Sequence, residues 1–149
     1  MEQFRLKKLM RDIELEDFAK AKGVEIHSLL AHIVFCNGDF IGDEKIISRI
    51  KENRELREIM GPLSRPEVSL AGYVNNTFLS RRIDRLYVNL DTKTVMVVDY
   101  KTDADKGLYY EKYRVQLSEY SELLKQVYPG FVVRCKILWL SDFTLENVI

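Results

Sequence analysis

The sequence has few cysteines, no long apolar run and no excess charge of either sign, and each absence excludes a class of protein. Its two cysteines, Cys36 and Cys135, cannot supply a four-cysteine zinc or iron–sulfur site, so no iron–sulfur cluster is expected. No apolar stretch approaches the ~20 residues that cross a bilayer, so no membrane partner is expected. No apolar segment follows the basic N-terminal residues, so we expect no signal peptide and a reduced, cytoplasmic protein.

Basic and acidic residues are equally numerous, 23 of each, so the chain carries no net charge. Such a chain does not attract a polyanion over its whole surface. A nucleic-acid partner would have to be held by a local patch, a bound metal or a larger assembly. The 149 residues fit one domain with a substantial core, and residues 1–22 are predicted to form an N-terminal helical extension.

The first part of the chain has the apolar spacing of helices. The charge-rich first twenty residues predict a helix, which Gly23 breaks. A second apolar stripe with helical spacing follows, formed by Ile26, Leu29, Leu30, Ile33 and Val34. One further helix is predicted from about Asp43 to Met60, where Gly61-Pro62 ends it.

After Pro66 the pattern changes to that of strands. The predicted strands are Glu67–Tyr73, Thr77–Leu90 and Thr94–Thr102, with turns at Asn75-Asn76 and Asp91-Thr92. A helix from about Tyr109 to Val127 and a last strand, Phe131–Leu140, complete the pattern. This order predicts an α/β fold in which helices flank one mixed sheet.

The second predicted hairpin places two aspartates opposite each other. In an antiparallel hairpin the numbers of facing residues have a constant sum, and a turn at Asp91-Thr92 makes that sum 183. Asp84 and Asp99 have the same sum, so without a β-bulge their Cβ atoms lie ~5 Å apart on one face. Lys101 lies two residues beyond Asp99 and shares that face.

Two carboxylates that close repel each other unless a cation or a shared proton relieves the repulsion. Mg²⁺ suits such a site because it prefers oxygen ligands and binds through one or two carboxylates plus substrate phosphate. A metal there would polarise a phosphodiester, and Lys101 would orient the attacking water or offset phosphoryl charge. The pattern therefore predicts phosphodiester hydrolysis.

An ordinary solvated cluster of surface charges is the alternative for these three residues. The apolar run Val95–Val98, directly before Asp99, indicates a strand buried on both faces. Ionised groups at the end of a buried strand are costly unless they are paired or functional, which favours the functional interpretation.

Three stretches match, in order, the motifs of a nuclease family: Arg82-Ile83-Asp84-Arg85-Leu86, Val97-Val98-Asp99-Tyr100-Lys101-Thr102 and Tyr113-x-x-Gln116-Leu117-x-x-Tyr120. On these residues the chain resembles the RecB-type nucleases of the PD-(D/E)XK superfamily. The resemblance is closest to the C-terminal nuclease domain of AddA-type double-strand-break repair helicase–nucleases, and it covers nearly the whole chain from Gly23 on. The combination is specific, whereas Asp-Tyr-Lys alone would be weak.

The resemblance implies a restriction-endonuclease-like core and a set of site residues. Asp84 and Asp99 would ligate Mg²⁺, or Mn²⁺ as a substitute, with the backbone carbonyl of Tyr100 as a further ligand. His27 would be an extra metal ligand and Lys101 the catalytic lysine.

The resemblance also implies DNA-binding residues, namely Gln116, Tyr120 and Thr102. Gln116 and Tyr120 lie four residues apart and share a helix face, which in the family borders the site and positions the lysine and DNA. From the sequence pattern alone, Gln116 is a helix-surface residue and Tyr120 a core residue. His27, beside the apolar Ile26 and Leu30, is by the same reasoning a structural or surface histidine.

Two further residues have no assigned role. Arg81 stands where the family usually has glycine, three residues before the first aspartate; an arginine there either adds a phosphate contact or narrows access to the site. Glu67 is an acid near the predicted site, but it is equally explained as the start of a strand, so it is left out of the site.

The implied function is a metal-dependent DNA exonuclease that acts on single strands delivered by a helicase. The sequence has no G-x-x-x-x-G-K-[ST] loop, so the motor would be fused in a longer protein or be a separate subunit. The alternatives are a stand-alone endonuclease and a catalytically inactive nuclease-like module that guides DNA or serves in assembly.

Overall fold

The computed structural model describes residues 25–102, 107 and 109–149, so the predicted helical extension at 1–22 lies outside the described residues. The first described elements are helix α1 (25–31), the hairpin β1 (Val34–Cys36) and β2 (Asp39–Ile41), and helices α2 (Glu44–Lys51) and α3 (Arg54–Ile59). They are followed by β3 (Ser64–Val74), β4 (Thr77–Asn89), β5 (Thr94–Lys101), α4 (Tyr110–Val127), β6 (Val132–Trp139) and β7 (Thr144–Asn147).

The predicted α/β class with one mixed sheet flanked by helices is confirmed. Five strands form the sheet in the order β3-β4-β5-β6-β7. β5 and β6 are parallel, and the other neighbours are antiparallel. A parallel pair needs a long crossover connection, and α4 supplies it. No helix in the described ranges combines the length and apolar character that crossing a membrane requires.

The two faces of the sheet are covered by different helices. On one face, which we call the α1–α3 face, Val98 and Leu138 of the sheet pack with Leu30, Ile50 and other apolar residues of helices α1 to α3. The other face, the α4 face, carries a separate core in which strand residues pack against helix α4. Its buried members include Ile83, Val97, Ile137, Leu117, Tyr120 and Leu124. The sheet is therefore buried on both sides at its centre, as the apolar run before Asp99 predicted.

The helix predicted to extend to Val34 ends earlier. Residues 25–31 are helical, and Val34 already begins β1. Asn37 and Gly38 have positive φ angles of 51° and 83°, as a two-residue hairpin turn requires. The Asn-Gly pair was a hairpin signal in the sequence, but the helical spacing of Ile33 and Val34 obscured it.

The single helix predicted from Asp43 to Met60 is wrong, since two helices occupy this range. The Asn53 side chain accepts hydrogen bonds from the backbone N–H groups of Glu55 and Leu56, so it caps a new helix, α3. Asp43 caps α2 in the same way through Ile46. The apolar spacing continues across the break because both helices pack on the same face, and this continuity hid the cap.

The predicted strand boundaries differ most at the start of β3, and one strand was not predicted. β3 begins at Ser64, three residues before the predicted start at Glu67. Strand β7 was not predicted. It is only 4 residues long and pairs with the outer edge of β6, where the polar Thr144 and Asn147 give no strand pattern.

Candidate active site at the ends of β4 and β5

The predicted register of the central hairpin is confirmed by its paired residues. Pairs from Asn89↔Thr94 to Arg85↔Val98 keep the constant sum, and the next positions are Asp84 and Asp99. These two carboxyl groups are close enough for each to shift the pKa of the other. The hairpin therefore brings the two aspartates together where its regular ladder ends.

The ladder between β3 and β4 is interrupted at the same point. Val68↔Ile83 and Pro66↔Arg85 are paired, but Glu67 and Asp84 between them are not, and Glu67 has a positive φ of 54°. Ile83 packs on the α4 face, whereas Arg85 contacts α1 on the opposite face. The strict alternation of strand side chains thus breaks at Asp84, so its carboxylate can be contacted from both sides of the sheet.

His27 reaches this carboxylate from α1. Its Nε2 lies 3.1 Å from Oδ1 of Asp84, and its side chain is 40% exposed. The His27 ring meets the Tyr100 ring edge-on, with 5.2 Å between centroids. Oδ2 of Asp84 accepts a hydrogen bond of 2.8 Å from the backbone N–H of Tyr100. His27 therefore lies at the site and not merely in the apolar stripe of its helix.

Asp99 is 4% exposed and is the most buried acid of the group. Its Oδ2 lies 2.8 Å from Nζ of Lys101, but this ion pair lacks hydrogen-bond geometry. Within the described residues, Asp99 Oδ2 is one of two buried side-chain polar atoms without a hydrogen-bond partner. A buried carboxylate oxygen that has only this ion pair and receives no hydrogen bond is costly in free energy, and a metal cation would supply a further partner.

The pKa values of the two carboxyl groups move in opposite directions. Burial raises the pKa of Asp99 from 3.8 to about 7, and the Asp84 charge adds to the rise while Lys101 opposes it. Burial would also raise the pKa of Asp84, but hydrogen bonds from His27 and the Tyr100 amide hold it below 3.8. The hydrogen bond to Asp84 raises the pKa of His27 above 6.5, against partial burial. Without a metal, Asp99 therefore holds the proton of the pair.

Lys101 is held on its other side by α4. Its Nζ donates to Oε1 of Gln116 at 3.2 Å and lies 4.3 Å from the centre of the Tyr113 ring. Nε2 of Gln116 in turn donates to the hydroxyl of Tyr120 at 2.8 Å. The predicted helix face of Gln116 and Tyr120 therefore borders the site and holds the lysine beside Asp99.

The sequence pattern did not indicate a role for Arg85. Its guanidinium is 1% exposed and donates to the carbonyl oxygens of Leu30 at 2.9 Å and Ile33 at 3.0 Å, near the end of α1. It also donates to the hydroxyls of Tyr100 and Ser64, each at 3.3 Å. Arg85 thus anchors the helix that carries His27, although its position beside Asp84 gave no sign of a contact 52 residues or more away.

Arg81 does not face an open phosphate site in this arrangement. Its guanidinium makes two hydrogen bonds, of 3.2 and 3.0 Å, to Oε2 of Glu119 on α4, next to Tyr120. The two side chains are about one third exposed. The ion pair therefore ties β4 to the helix that holds Lys101.

If the site hydrolyses DNA, as the resemblance implies, we predict that Glu119→Gln lowers kcat about three- to tenfold, because α4 then holds Lys101 less firmly. Arg81→Gln should have the same effect, and the double variant should be no worse than either single one. Steady-state kinetics on single-stranded DNA measure this. If Glu119→Gln instead lowers KM, then Glu119 withholds Arg81 from phosphate and the positioning role is wrong.

Thr102 lines a cavity to which the two carboxylates do not contribute. The residue is exposed just beyond β5, and the cavity of about 860 Å³ is also lined by residues of α1, α2 and the segment 140–143. Neither Asp84 nor Asp99 lines this cavity. The cavity is therefore distinct from the site formed by the titratable groups. The DNA contact of Thr102 stays a prediction.

The donor set fits a divalent cation, although it is not arranged as a finished metal site. In the described ranges, no three His, Cys, Asp or Glu side chains are grouped as metal ligands, and His27 and Asp84 contact each other directly. Two adjacent carboxylates, one of them with an oxygen that receives no hydrogen bond, are nevertheless the oxygen ligands that Mg²⁺ or Mn²⁺ prefers. The carbonyl of Tyr100 stays a predicted further ligand.

Comparison with known proteins adds no assignment. No protein-family model matches the chain, and no curated protein is significantly similar to it. The site therefore has to be interpreted from its own geometry.

Proposed function

We propose that this chain is a metal-dependent DNA nuclease domain with a restriction-endonuclease-like, PD-(D/E)XK core. One observation carries the proposal: His27, Asp84, Asp99 and Lys101 come from three separate segments and converge in a single group of contacts. A solvated surface cluster would not place a 4% exposed aspartate, with a pKa raised to about 7, against a second carboxylate.

Each of these residues would have its own role in phosphodiester hydrolysis. Asp84 and Asp99 would hold Mg²⁺ or Mn²⁺, and His27 would join them by turning from Asp84. When bound, the cation would supply electrostatic stabilisation of the phosphoryl charge and a lowered pKa for the attacking water. Lys101, held by Gln116, donates a hydrogen bond to that water or to a phosphoryl oxygen.

The substrate that we propose is single-stranded DNA, cut as an exonuclease during double-strand-break repair. A chain with no net charge is expected to bind DNA with low affinity, which suits a domain that receives its strand from a helicase motor. That motor would belong to the same longer protein or to a separate subunit. Linear and closed circular substrates separate exonuclease from endonuclease action.

The test is cleavage of end-labelled single-stranded DNA with Mg²⁺, Mn²⁺, Ca²⁺ or EDTA. We expect cleavage with Mg²⁺ or Mn²⁺ that stops in EDTA, and a loss of ~10²- to 10³-fold in kcat for Lys101→Met. Lys125→Met, which removes an exposed lysine at the far end of α4, is the matched control and should cleave normally.

Calorimetry with Mn²⁺ decides between the outcomes if the chain does not cleave. Binding that is lost in Asp99→Ala would mean a competent site that needs its motor partner. No binding at all would refute the metal site and favour an inactive nuclease-like module that guides DNA or serves in assembly.

A further inference from the structure

On the α4 face, the side chain of Trp139 lies beside that of Lys101. The two residues are partners in the parallel pairing of β5 with β6, so their side chains leave the sheet on the same side. Trp139 is 1% exposed, and its indole N–H donates a hydrogen bond of 2.7 Å to Oε2 of Glu146 on β7. A buried indole whose N–H has an acceptor keeps one orientation, so it is a rigid support for a neighbouring ring.

Tyr113 of α4 supplies that neighbouring ring. Its centroid lies 6.3 Å from that of the Trp139 ring and 6.2 Å from that of Tyr109, the residue before α4. Nζ of Lys101 lies 4.3 Å from the Tyr113 centroid, inside the ~6 Å within which an ammonium is attracted to an aromatic face. The Lys101 side chain is only 18% exposed, so water screens this attraction only in part. The ring that contacts the lysine is therefore itself packed against two other rings.

The other two partners of Lys101 are an acid and an amide. The ion pair with Asp99, 2.8 Å between Nζ and Oδ2, depends on the negative charge of that carboxylate. A divalent cation bound by Asp99 would cancel this charge and repel the ammonium, so the ion pair would no longer hold the lysine. Gln116 supplies one hydrogen bond of 3.2 Å, which does not fix a long, flexible side chain. The face of the Tyr113 ring is uncharged and does not bind the cation, so its attraction for the lysine remains.

We propose that Tyr113 is a positioning residue, whose ring keeps the ammonium of Lys101 at the site after a cation takes up the Asp99 carboxylate. Trp139 and Glu146 act through Tyr113, by holding its ring in place. The ring carries no charge that would neutralise the lysine, so the ammonium stays available to a phosphoryl oxygen. The catalytic consequence rests on the proposed nuclease function, whereas the position of the ammonium does not.

Nuclear magnetic resonance of the full chain measures that position without catalysis or metal. The Tyr113 ring current shifts the ε-methylene protons of Lys101 upfield, and their signal is assigned by its absence in Lys101→Met. Asp99→Asn removes the carboxylate charge, as a bound cation would. We expect the upfield shift to remain in Asp99→Asn and in Tyr113→Phe, and to disappear in Tyr113→Leu. A signal of Asp99→Asn at the position of an exposed lysine would overturn the proposal, because the ion pair would then be what holds Lys101.

Steady-state kinetics on single-stranded DNA test the catalytic consequence. Tyr113→Leu should lower kcat ~5- to 20-fold and leave KM unchanged, because the ring contacts the lysine and not the bound strand. Tyr113→Phe keeps the ring and should retain most of kcat. Tyr128→Leu, the same change at the other end of α4, is the matched control and should cleave normally. If kcat falls as far in Tyr113→Phe as in Tyr113→Leu, the hydroxyl and not the ring is required, and the proposal is wrong.

Failure of the nuclease function and failure of the ring contact give different results. A wild type that never cleaves refutes the nuclease function, and the Lys101 signal in Asp99→Asn still decides whether Tyr113 holds the lysine. A wild type that cleaves, with a Lys101 signal that loses its upfield shift in Asp99→Asn, refutes the ring contact alone.

The support from Glu146 has its own reporter, because Trp139 is the only tryptophan in the chain. Glu146→Gln keeps an acceptor for the indole N–H, so the fluorescence emission and the upfield shift of Lys101 should match those of the wild type. Glu146→Leu removes that acceptor, so the emission maximum should move and the Lys101 shift should shrink. An altered emission with an unchanged Lys101 shift would overturn the part of the proposal in which Glu146 and Trp139 support Tyr113.

Discussion

Replacement of Asp99 by asparagine is expected to abolish metal-dependent cleavage while making the metal-free protein more stable above neutral pH. Removing one of two carboxylates should lower cleavage by at least ~10³-fold, since the cation supplies several kcal/mol of transition-state stabilisation. The gain in stability follows from burial, because ionised Asp99 has an oxygen without a hydrogen-bond partner.

The pH window of this gain follows from the direction of the pKa shift. The pKa of Asp99 is raised from 3.8 to about 7, so the folded protein binds the proton more tightly than the unfolded chain. The stabilisation that this tighter proton binding gives the folded protein is fully present below pH ~4 and is lost as the pH rises to ~7. Above pH 7 the ionised carboxylate lowers the free energy of unfolding by up to ~4 kcal/mol. Asparagine relieves only a part of this cost, because Lys101 then loses its ion-pair partner.

Thermal unfolding in EDTA and in Mn²⁺, at pH 6 and pH 8, measures both effects. The wild type should gain more from Mn²⁺ at pH 8, because at pH 6 the proton on Asp99 competes with the cation. Asp99→Asn should melt higher than the wild type in EDTA at pH 8 and should not respond to Mn²⁺. Asp91→Asn, in the exposed turn of the same hairpin, is the matched control. An unchanged Mn²⁺ response in Asp99→Asn would remove Asp99 from the metal site.

Replacement of Arg85 by methionine should have the largest effect on stability. Methionine fills much of the same volume but leaves the Ile33 carbonyl oxygen without the Arg85 donor, while the Leu30 carbonyl oxygen keeps only its bond from the backbone N–H of Ile33. An unsatisfied buried group costs ~1–3 kcal/mol and each further lost hydrogen bond ~1 kcal/mol, so we expect a loss of ~2–4 kcal/mol and a fall in Tm of roughly 10 °C. The end of α1 then loses its anchor, and His27 loses its position against Asp84.

This effect can be separated from a general loss of packing. Arg134→Met, an exposed change on β6, should leave Tm within about 2 °C of the wild type. His27→Ala should abolish most of the Mn²⁺ affinity with little change in Tm, whereas Arg85→Met should reduce both. If Arg85→Met melts like the wild type, Arg85 does not anchor α1.

Much of the site could be predicted from the sequence because it depends on local geometry. A turn at Asp91-Thr92 sets the register of the hairpin, and the register alone places Asp84 opposite Asp99. The spacing of four residues between Gln116 and Tyr120 likewise places both on one face of α4. Local signals also misled where they conflicted, as when the helical spacing of Ile33 and Val34 outweighed the Asn-Gly turn that follows.

Contacts between distant segments were decided only by the tertiary structure. Asp84 is reached from both faces because β4 changes its alternation opposite Glu67, and no residue type predicts such a break. Arg85 anchors α1, and Arg81 is paired with Glu119, because packing brings each guanidinium to oxygens far along the chain. The sequence determined the pairing of β3 with β4 and of β4 with β5, through their turns, and it determined which residues share a face, since this follows from periods of two and 3.6 residues. Which buried charge meets which partner depends on how the four described helices and the sheet pack together, and no periodicity encodes that.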